Sequence, residues 1–253
     1  PTGNVTLVFT DIQGSTLLWE HLGDDFKPLL DLHNSIFRAA IAETGGYEVK
    51  TEGDSFMVAF SDAAAAISMC LKIQERLHEA PWPDWLSDDV TVELAGTSAD
   101  GAFRGLRVRM GVHTGSPDCQ VDTLTSRMDY FGRMVNRASR VASVGHGGQL
   151  LVSDATWTAL QSGDLPSTVV VTDLGEHAIR DLEQRERLRQ LLPAALASRR
   201  FPRIKTLSLK KTILPNQVDS FFGRDEELGE IKQRIAKGQR LITVLGAGGT
   251  GKT

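Results

Sequence analysis

Two short apolar runs, Val5 to Phe9 and Phe56 to Phe60, bracket a longer stretch of helical periodicity. This alternation restricts the chain to folds in which helices pack on a sheet. From Asp24 to Glu43 apolar residues recur at Phe26, Leu29, Leu30, Phe37, Ala40 and Ile41, the spacing of one helix face, and the pattern ends at Gly45-Gly46. Gly14-Ser15-Thr16 starts an earlier helix, because small and hydroxyl residues satisfy the free N–H groups of a first turn. Tyr47 to Lys50 and Phe56 to Phe60 read as two strands joined by a tight turn at Glu52-Gly53, and Ser61 is expected to cap a helix from Asp62 to Leu77. Pro81 to Leu86 breaks the pattern and Leu106 to His113 is a further strand. Phe131 to Ser143 reads as a helix with Phe131, Val135, Ala138 and Ala142 on its apolar side.

A βαβ-like stretch from Gln149 to Leu191 completes this unit, expected to span residues 1–193. The order predicts an α+β, ferredoxin-like core of the split βαβ kind, with helices on one face of a mainly antiparallel sheet. With 253 residues, 41% hydrophobic and 24% charged, the chain holds one sizeable core and part of a second domain. A net charge of -4 gives no general attraction to nucleic acid or to an anionic membrane, so a polyanionic ligand needs a local site. Cys70 and Cys119 have no ligand-like spacing and read as reduced thiols. No apolar run approaches the roughly 18 residues that span a bilayer, and a cytoplasmic location is expected.

Asp11 closes the first apolar run in FTDIQGST, and Asp54 opens the other in KTEGDSFMVAF. On adjacent antiparallel strands two such carboxylates converge, and a pair of hard cations about 3.5 to 4 Å apart suits them. Either Asp alone would as readily cap a turn. The backbone N–H groups of Gln13, Gly14, Ser15 and Thr16 open a helix and suit β- and γ-phosphates. Lys50 and Asp129 form a donor and acceptor pair that matches N1 and N6 of adenine better than the edge of guanine, although each alone reads as a solvated lysine or a helix cap. Asn136 and Arg140 lie four apart, on one helix face. Arginine suits charge developing on a phosphoryl group and an Asn amide can orient a ribose oxygen, whereas an isolated helix of this kind would read as a solvated basic face.

Together these segments resemble the class III adenylyl cyclase catalytic domain over residues 4–192. FTDIQGST is similar to its first metal motif, KTEGD to its purine lysine and second metal motif, GVHTG to the end of a central strand, and DYFGRMVNRASR to its purine and transition-state motif. The resemblance implies that Asp11, Ile12 and Asp54 hold two Mg²⁺ or Mn²⁺ ions and that Lys50 and Asp129 select adenine. Asn136 would position the ribose and Arg140 would stabilise the pentavalent phosphorus. Arg180, in LGEHAIRDLEQRERLRQLL, would by the same resemblance supply a further cation to the triphosphate. The family forms head-to-tail dimers with shared sites, so a homodimer converting ATP to 3′,5′-cyclic AMP and pyrophosphate is expected. The alternative is a nucleotide-binding regulatory module with an idle cyclase site. Residues 81–105 and 116–127 are longer than a minimal domain needs, and the second stretch could displace Asp129.

Residues 194–217 are basic and lack periodicity, as in a linker. From 218 onward FFGRDEEL, a helix Asp225 to Ala236, a strand Leu241 to Leu245 and GAGGTGKT follow. The last satisfies the P-loop pattern through Gly246, Gly251, Lys252 and Thr253. This part resembles the opening of the signalling ATPase domain of bacterial multidomain regulators, in which a DNA-binding module sometimes follows. The expectation is a truncated ATPase unit within a longer protein, with no nucleic-acid contact by this chain.

Overall fold

The computed structural model describes residues 1–86, 103–123, 126–161, 163–206, 229, 230, 232–234 and 237. Two compact units divide the chain, Pro1–Leu207 and Ser208–Thr253. In the second, residues 229, 230 and 232–234 are helical, inside the expected helix Asp225 to Ala236. The expected strand Leu241 to Leu245 and the P-loop residues Gly246, Gly251, Lys252 and Thr253 lie outside the described residues.

The first unit runs β1 (Val5–Ile12), α1 (Ser15–Leu22), a 3₁₀ turn (Gly23–Asp25), α2 (Phe26–Glu43), β2 (Tyr47–Glu52), β3 (Ser55–Phe60) and α3 (Ala63–Glu79). It continues with β4 (Val108–Gly115), β5 (Asp118–Val121), β6 (Met128–Phe131), α4 (Arg133–Ser143), β7 (Leu150–Ser153), α5 (Asp154–Ala159), β8 (Val169–His177) and β9 (Glu186–Pro193). Seven strands form one sheet in the order β2-β3-β1-β4-β7-β9-β8, while β5 and β6 make a separate ribbon. Every neighbouring pair in the sheet is antiparallel except β4 with β7, so the fold is the expected α+β type.

The helices do not all lie on one face. Successive strand residues point to opposite sides, and the central strands are apolar at both parities, so both faces need cover. On one side Val8 and Ile12 of β1, Val58 of β3, and Met110 and Val112 of β4 share the main core with Phe37 of α2 and Ile67 of α3. On the other, Val5, Leu7, Met57 and Ala59 form a second core with Tyr130, Met134 and Ala138. Gly111 allows α4 to approach β4, since a Cβ there would lie 2.2 Å from the Ala142 backbone nitrogen.

Two local expectations change. The carboxylate of Asp62, not Ser61, caps α3, accepting from the N–H groups of Ala64 and Ala65 at 3.3 and 2.9 Å. Helix α4 starts at Arg133 rather than Phe131, because Gly132, with φ of 94°, separates it from strand β6. The buried side of α4 is therefore Met134, Ala138, Val141 and Ala142, and Phe131 is exposed. Of the expected linker, residues 194–206 pack on the first unit: Leu196 and Arg199 are buried and Ile204 joins a core with Val141, Val144 and Leu188.

Candidate active site

β1 delivers Asp11 one residue before the strand ends, and the turn between β2 and β3 delivers Asp54. That turn needs Gly53, which takes a left-handed φ of 62°. The Ile12 N–H donates to Asp54 Oδ2 at 2.8 Å, and the Ser55 hydroxyl donates to Asp11 Oδ1 at 2.9 Å, so each carboxylate is steadied by the other's strand. The Asp54 pKa is raised, first by burial and further by the Asp11 charge, against hydrogen bonds from Ile12 and the Ser15 hydroxyl. Two carboxylates that repel in a partly desolvated corner form a donor set suited to hard divalent cations. Arg109, the cross-strand partner of Asp11 on β4, pairs with Asp11 Oδ2.

At the start of α1, Gly14 takes a left-handed φ of 75°, and no side chain caps the helix. Gln13 departs from expectation. Its N–H donates to the Arg107 carbonyl at 2.9 Å and its Oε1 accepts from the Gly147 N–H at 2.5 Å, so its backbone is engaged in the fold rather than offered to phosphate. Of the residues expected to meet phosphate at the helix start, Gly14, Ser15 and Thr16 remain as candidates.

Lys50 and Asp129 meet although they are distant in sequence: Lys50 Nζ lies 3.2 Å from Asp129 Oδ2. Asp129 is thus not displaced by the preceding segment, part of which is strand β5 paired with β6. Lys50 and Asn136 line one cleft of about 260 Å³, with Phe9, Ser55, Met57 and Val135. Arg140 sits one turn further along α4 and pairs with Asp181 Oδ2 at 2.7 Å. Asp181 lies in the segment between β8 and β9 with a left-handed φ of 65°, unusual for a residue other than glycine. Arg180 is exposed, 3.9 Å from Asp181 Oδ1.

The structure thus brings Asp11 and Asp54 together at one corner and Lys50 and Asn136 to one cleft, with Asp129 bonded to Lys50. Among the described residues no hydrogen bond or ion pair joins Asp11 or Asp54 to Lys50, Asp129, Asn136 or Arg140. Arg109, Ser55 and Asp181 escaped the sequence reading. A charged residue inside the apolar run Leu106 to His113 was the available signal for Arg109; the other two depend on tertiary contacts. No helix among the described residues is long and apolar enough to cross a membrane.

Comparison with known proteins agrees with this architecture. The family model described as the adenylate and guanylate cyclase catalytic domain matches residues 1–189. An adenylate cyclase of Schizosaccharomyces pombe is 35% identical over 274 aligned positions, covering 100% of this chain and 16% of that protein. An adenylate cyclase of Mycosarcoma maydis is 46% identical over 162 residues, covering 64% of this chain and 6% of that protein. The chain therefore spans a small part of the length of these relatives. An adenylate cyclase structure from Trypanosoma brucei, in its monomeric state, superposes with a TM-score of 0.73 at 32% identity, covering 81% of this chain and 95% of that one. On the family match and the shared fold, the chain belongs to the adenylate and guanylate cyclase catalytic domain family.

Proposed function

We propose that the chain is an adenylyl cyclase that converts ATP to 3′,5′-cyclic AMP and pyrophosphate at sites shared between two copies. The observation that carries the choice of ATP is the Lys50–Asp129 pair at 3.2 Å beside the cleft. An ammonium and a carboxylate complement the N1 acceptor and N6 donor of adenine, whereas guanine reverses both. The base would enter by opening this pair and replacing its single contact with one hydrogen bond to each partner.

Asp11, Asp54 and the Ile12 carbonyl would hold two Mg²⁺ or Mn²⁺ ions. When bound, these supply Lewis-acid stabilisation of charge on the reacting oxygens. Arg109 now neutralises Asp11, and a cation at the carboxylates would release its guanidinium toward the triphosphate. Gly14, Ser15 and Thr16 would receive phosphate oxygens at the start of α1. Asn136 would orient the ribose so that its 3′-oxygen lies in line with the α-phosphorus, and Arg140 would bind the α-phosphate oxygens as their charge rises. Arg180 is exposed on the same segment as Asp181 and is available to the leaving pyrophosphate.

In the two-copy site the carboxylates come from one protomer and Lys50, Asp129, Asn136 and Arg140 from its partner, a reading supported by the lack, among the described residues, of any hydrogen bond or ion pair joining the two sets within one chain. We read the second unit as the opening of a P-loop ATPase domain with Gly246, Gly251, Lys252 and Thr253 in its phosphate loop. The direct test is product analysis with Mn-ATP and Mn-GTP in parallel. Cyclic AMP well above an Asp54→Ala control is expected, and its absence overturns the proposal.

A further inference from the structure

The segment between β8 and β9 is fastened to helix α4 at both of its ends. At one end Ile179 is buried with Val141 of α4 and Val144 just beyond it, and Leu182 packs against the same core. At the other end Glu186, also buried, opens β9 and pairs with Arg137 of α4 at 3.3 Å. Glu186 Oε1 further accepts from the Asp154 N–H at 3.3 Å. Packing and a largely buried ion pair, rather than loose surface charge, therefore set where this segment stands relative to α4.

Next to the first anchor the chain makes one tight turn. The Leu182 N–H donates to the Ile179 carbonyl at 3.2 Å, so Asp181 is the third of four turn residues, and its φ is 65°. A left-handed φ at that place suits glycine first and asparagine next. The chain carries an aspartate there instead, and its carboxylate is used. Asp181 Oδ2 lies 2.7 Å from Arg140 Nη2, while Oδ1 lies 3.9 Å from Nε of the neighbouring Arg180. Among the described residues Arg140 has no other carboxylate partner. Both members of the Arg140–Asp181 pair are half-exposed, so the contact adds little to stability; what it supplies is a direction for the guanidinium.

We infer that Asp181 is a positioning residue for the cyclase reaction, holding Arg140 in the orientation in which it meets the substrate. The inference rests on the reading of Arg140 as the group that binds the α-phosphate oxygens as their charge rises. An arginine free to turn about its side-chain bonds gives up that freedom when it engages phosphate, and the cost falls on the transition state. A carboxylate set in a fastened turn imposes the order beforehand, when the chain folds. The guanidinium has five N–H donors and Asp181 meets it at Nη2, so donors remain for the phosphate oxygens. The task needs a hydrogen-bond acceptor at this place rather than a negative charge.

The test uses the whole chain, with Asp181→Gly, Asp181→Asn, Arg140→Ala and the Asp181→Gly/Arg140→Ala double variant. Glycine and asparagine both tolerate the left-handed backbone, and they differ in whether an acceptor remains for Arg140. Asp181→Gly is expected to lower kcat for Mn-ATP about tenfold with KM within about twofold of the parent. Its melting temperature should equal or exceed the parent value, and Asp181→Asn should restore kcat to within about twofold. In the Arg140→Ala background Asp181→Gly should cost nothing further, because its effect passes through Arg140. An unchanged or raised kcat in Asp181→Gly, equal losses in Asp181→Asn, or a further tenfold loss in the double variant would overturn the inference. Full kcat in Arg140→Ala overturns the reading of Arg140 and the inference with it; a crippled Arg140→Ala beside a normal Asp181→Gly overturns the inference alone.

Discussion

Asp11 and Arg109 are register partners on neighbouring antiparallel strands, and their side chains form an ion pair at the corner where Asp54 also lies. An arginine that neutralises a cation-binding carboxylate competes with the cation. Arg109→Met should therefore bind Mn²⁺ more tightly without nucleotide, while losing about tenfold in kcat/KM for ATP through the missing phosphate contact. Mn²⁺-dependent thermal shifts and initial rates check both. Since the Asp54 pKa is raised, protons compete with cations there, and Mn²⁺ affinity should fall as pH drops through that raised value. A chelator should remove activity reversibly.

Arg140 is held by Asp181 within the chain, yet its proposed work is on a partner's substrate. Arg140→Ala should lower kcat by roughly 100-fold or more. Mixed with inactive Asp54→Ala, it should regain about a quarter of parental activity, because about half of random dimers are mixed and each carries one intact site. No recovery, with mixed dimers demonstrated by differential tagging, would count against the shared site.

If Lys50 and Asp129 read the base as proposed, its selection would depend on how the β5–β6 ribbon is tied to β2. The Met128 N–H donates to the Tyr47 hydroxyl at 2.9 Å, Arg127 bonds the Glu48 carbonyl, and the Arg127 guanidinium lies 5.6 Å from the Tyr47 ring centroid. These contacts keep Asp129 near Lys50 when a base opens their pair. Tyr47→Phe removes one of them and should reduce the preference for ATP over GTP by about 2- to 10-fold. Competition assays with both nucleotides measure this, and an unchanged ratio would remove Tyr47 from base selection.

Acid should destabilise the fold before ordinary carboxylates titrate. His33 is buried against Phe37, and burial lowers its pKa from 6.5 to about 4; His113 is lowered similarly by burial and by Arg137. The unfolded chain therefore binds more protons between pH 6.5 and 4, so stability is lost as pH falls through that window. Each histidine accounts for on the order of 3 kcal/mol across it. His33→Leu should flatten the dependence of melting temperature on pH there, and an unaltered slope would contradict the assignment.

Much of the fold was legible because short-range patterns report it. The periodicity of Phe26, Leu29, Phe37 and Ile41 marked α2, and the apolar runs marked β1 and β3, since one face of each must be buried. Boundaries set by one backbone angle were less legible. Gly132 moved the start of α4 past Phe131, and the side chain of Asp62 took the cap expected of Ser61. The cover on both faces of the sheet was hidden because a fully buried strand and a one-sided strand differ only in residues that read as merely apolar.

By itself the sequence determined which residue types are available for the proposed site: two carboxylates, a lysine and an aspartate, and an asparagine and arginine four apart on a helix. It could do so because each type carries its chemistry wherever it is placed. Only the tertiary structure decided which charges meet. Asp11 faces Arg109 through strand register, and Arg140 faces Asp181 through the β8–β9 segment. Those pairings join residues 98 and 41 positions apart, and local propensity carries no information at such separations.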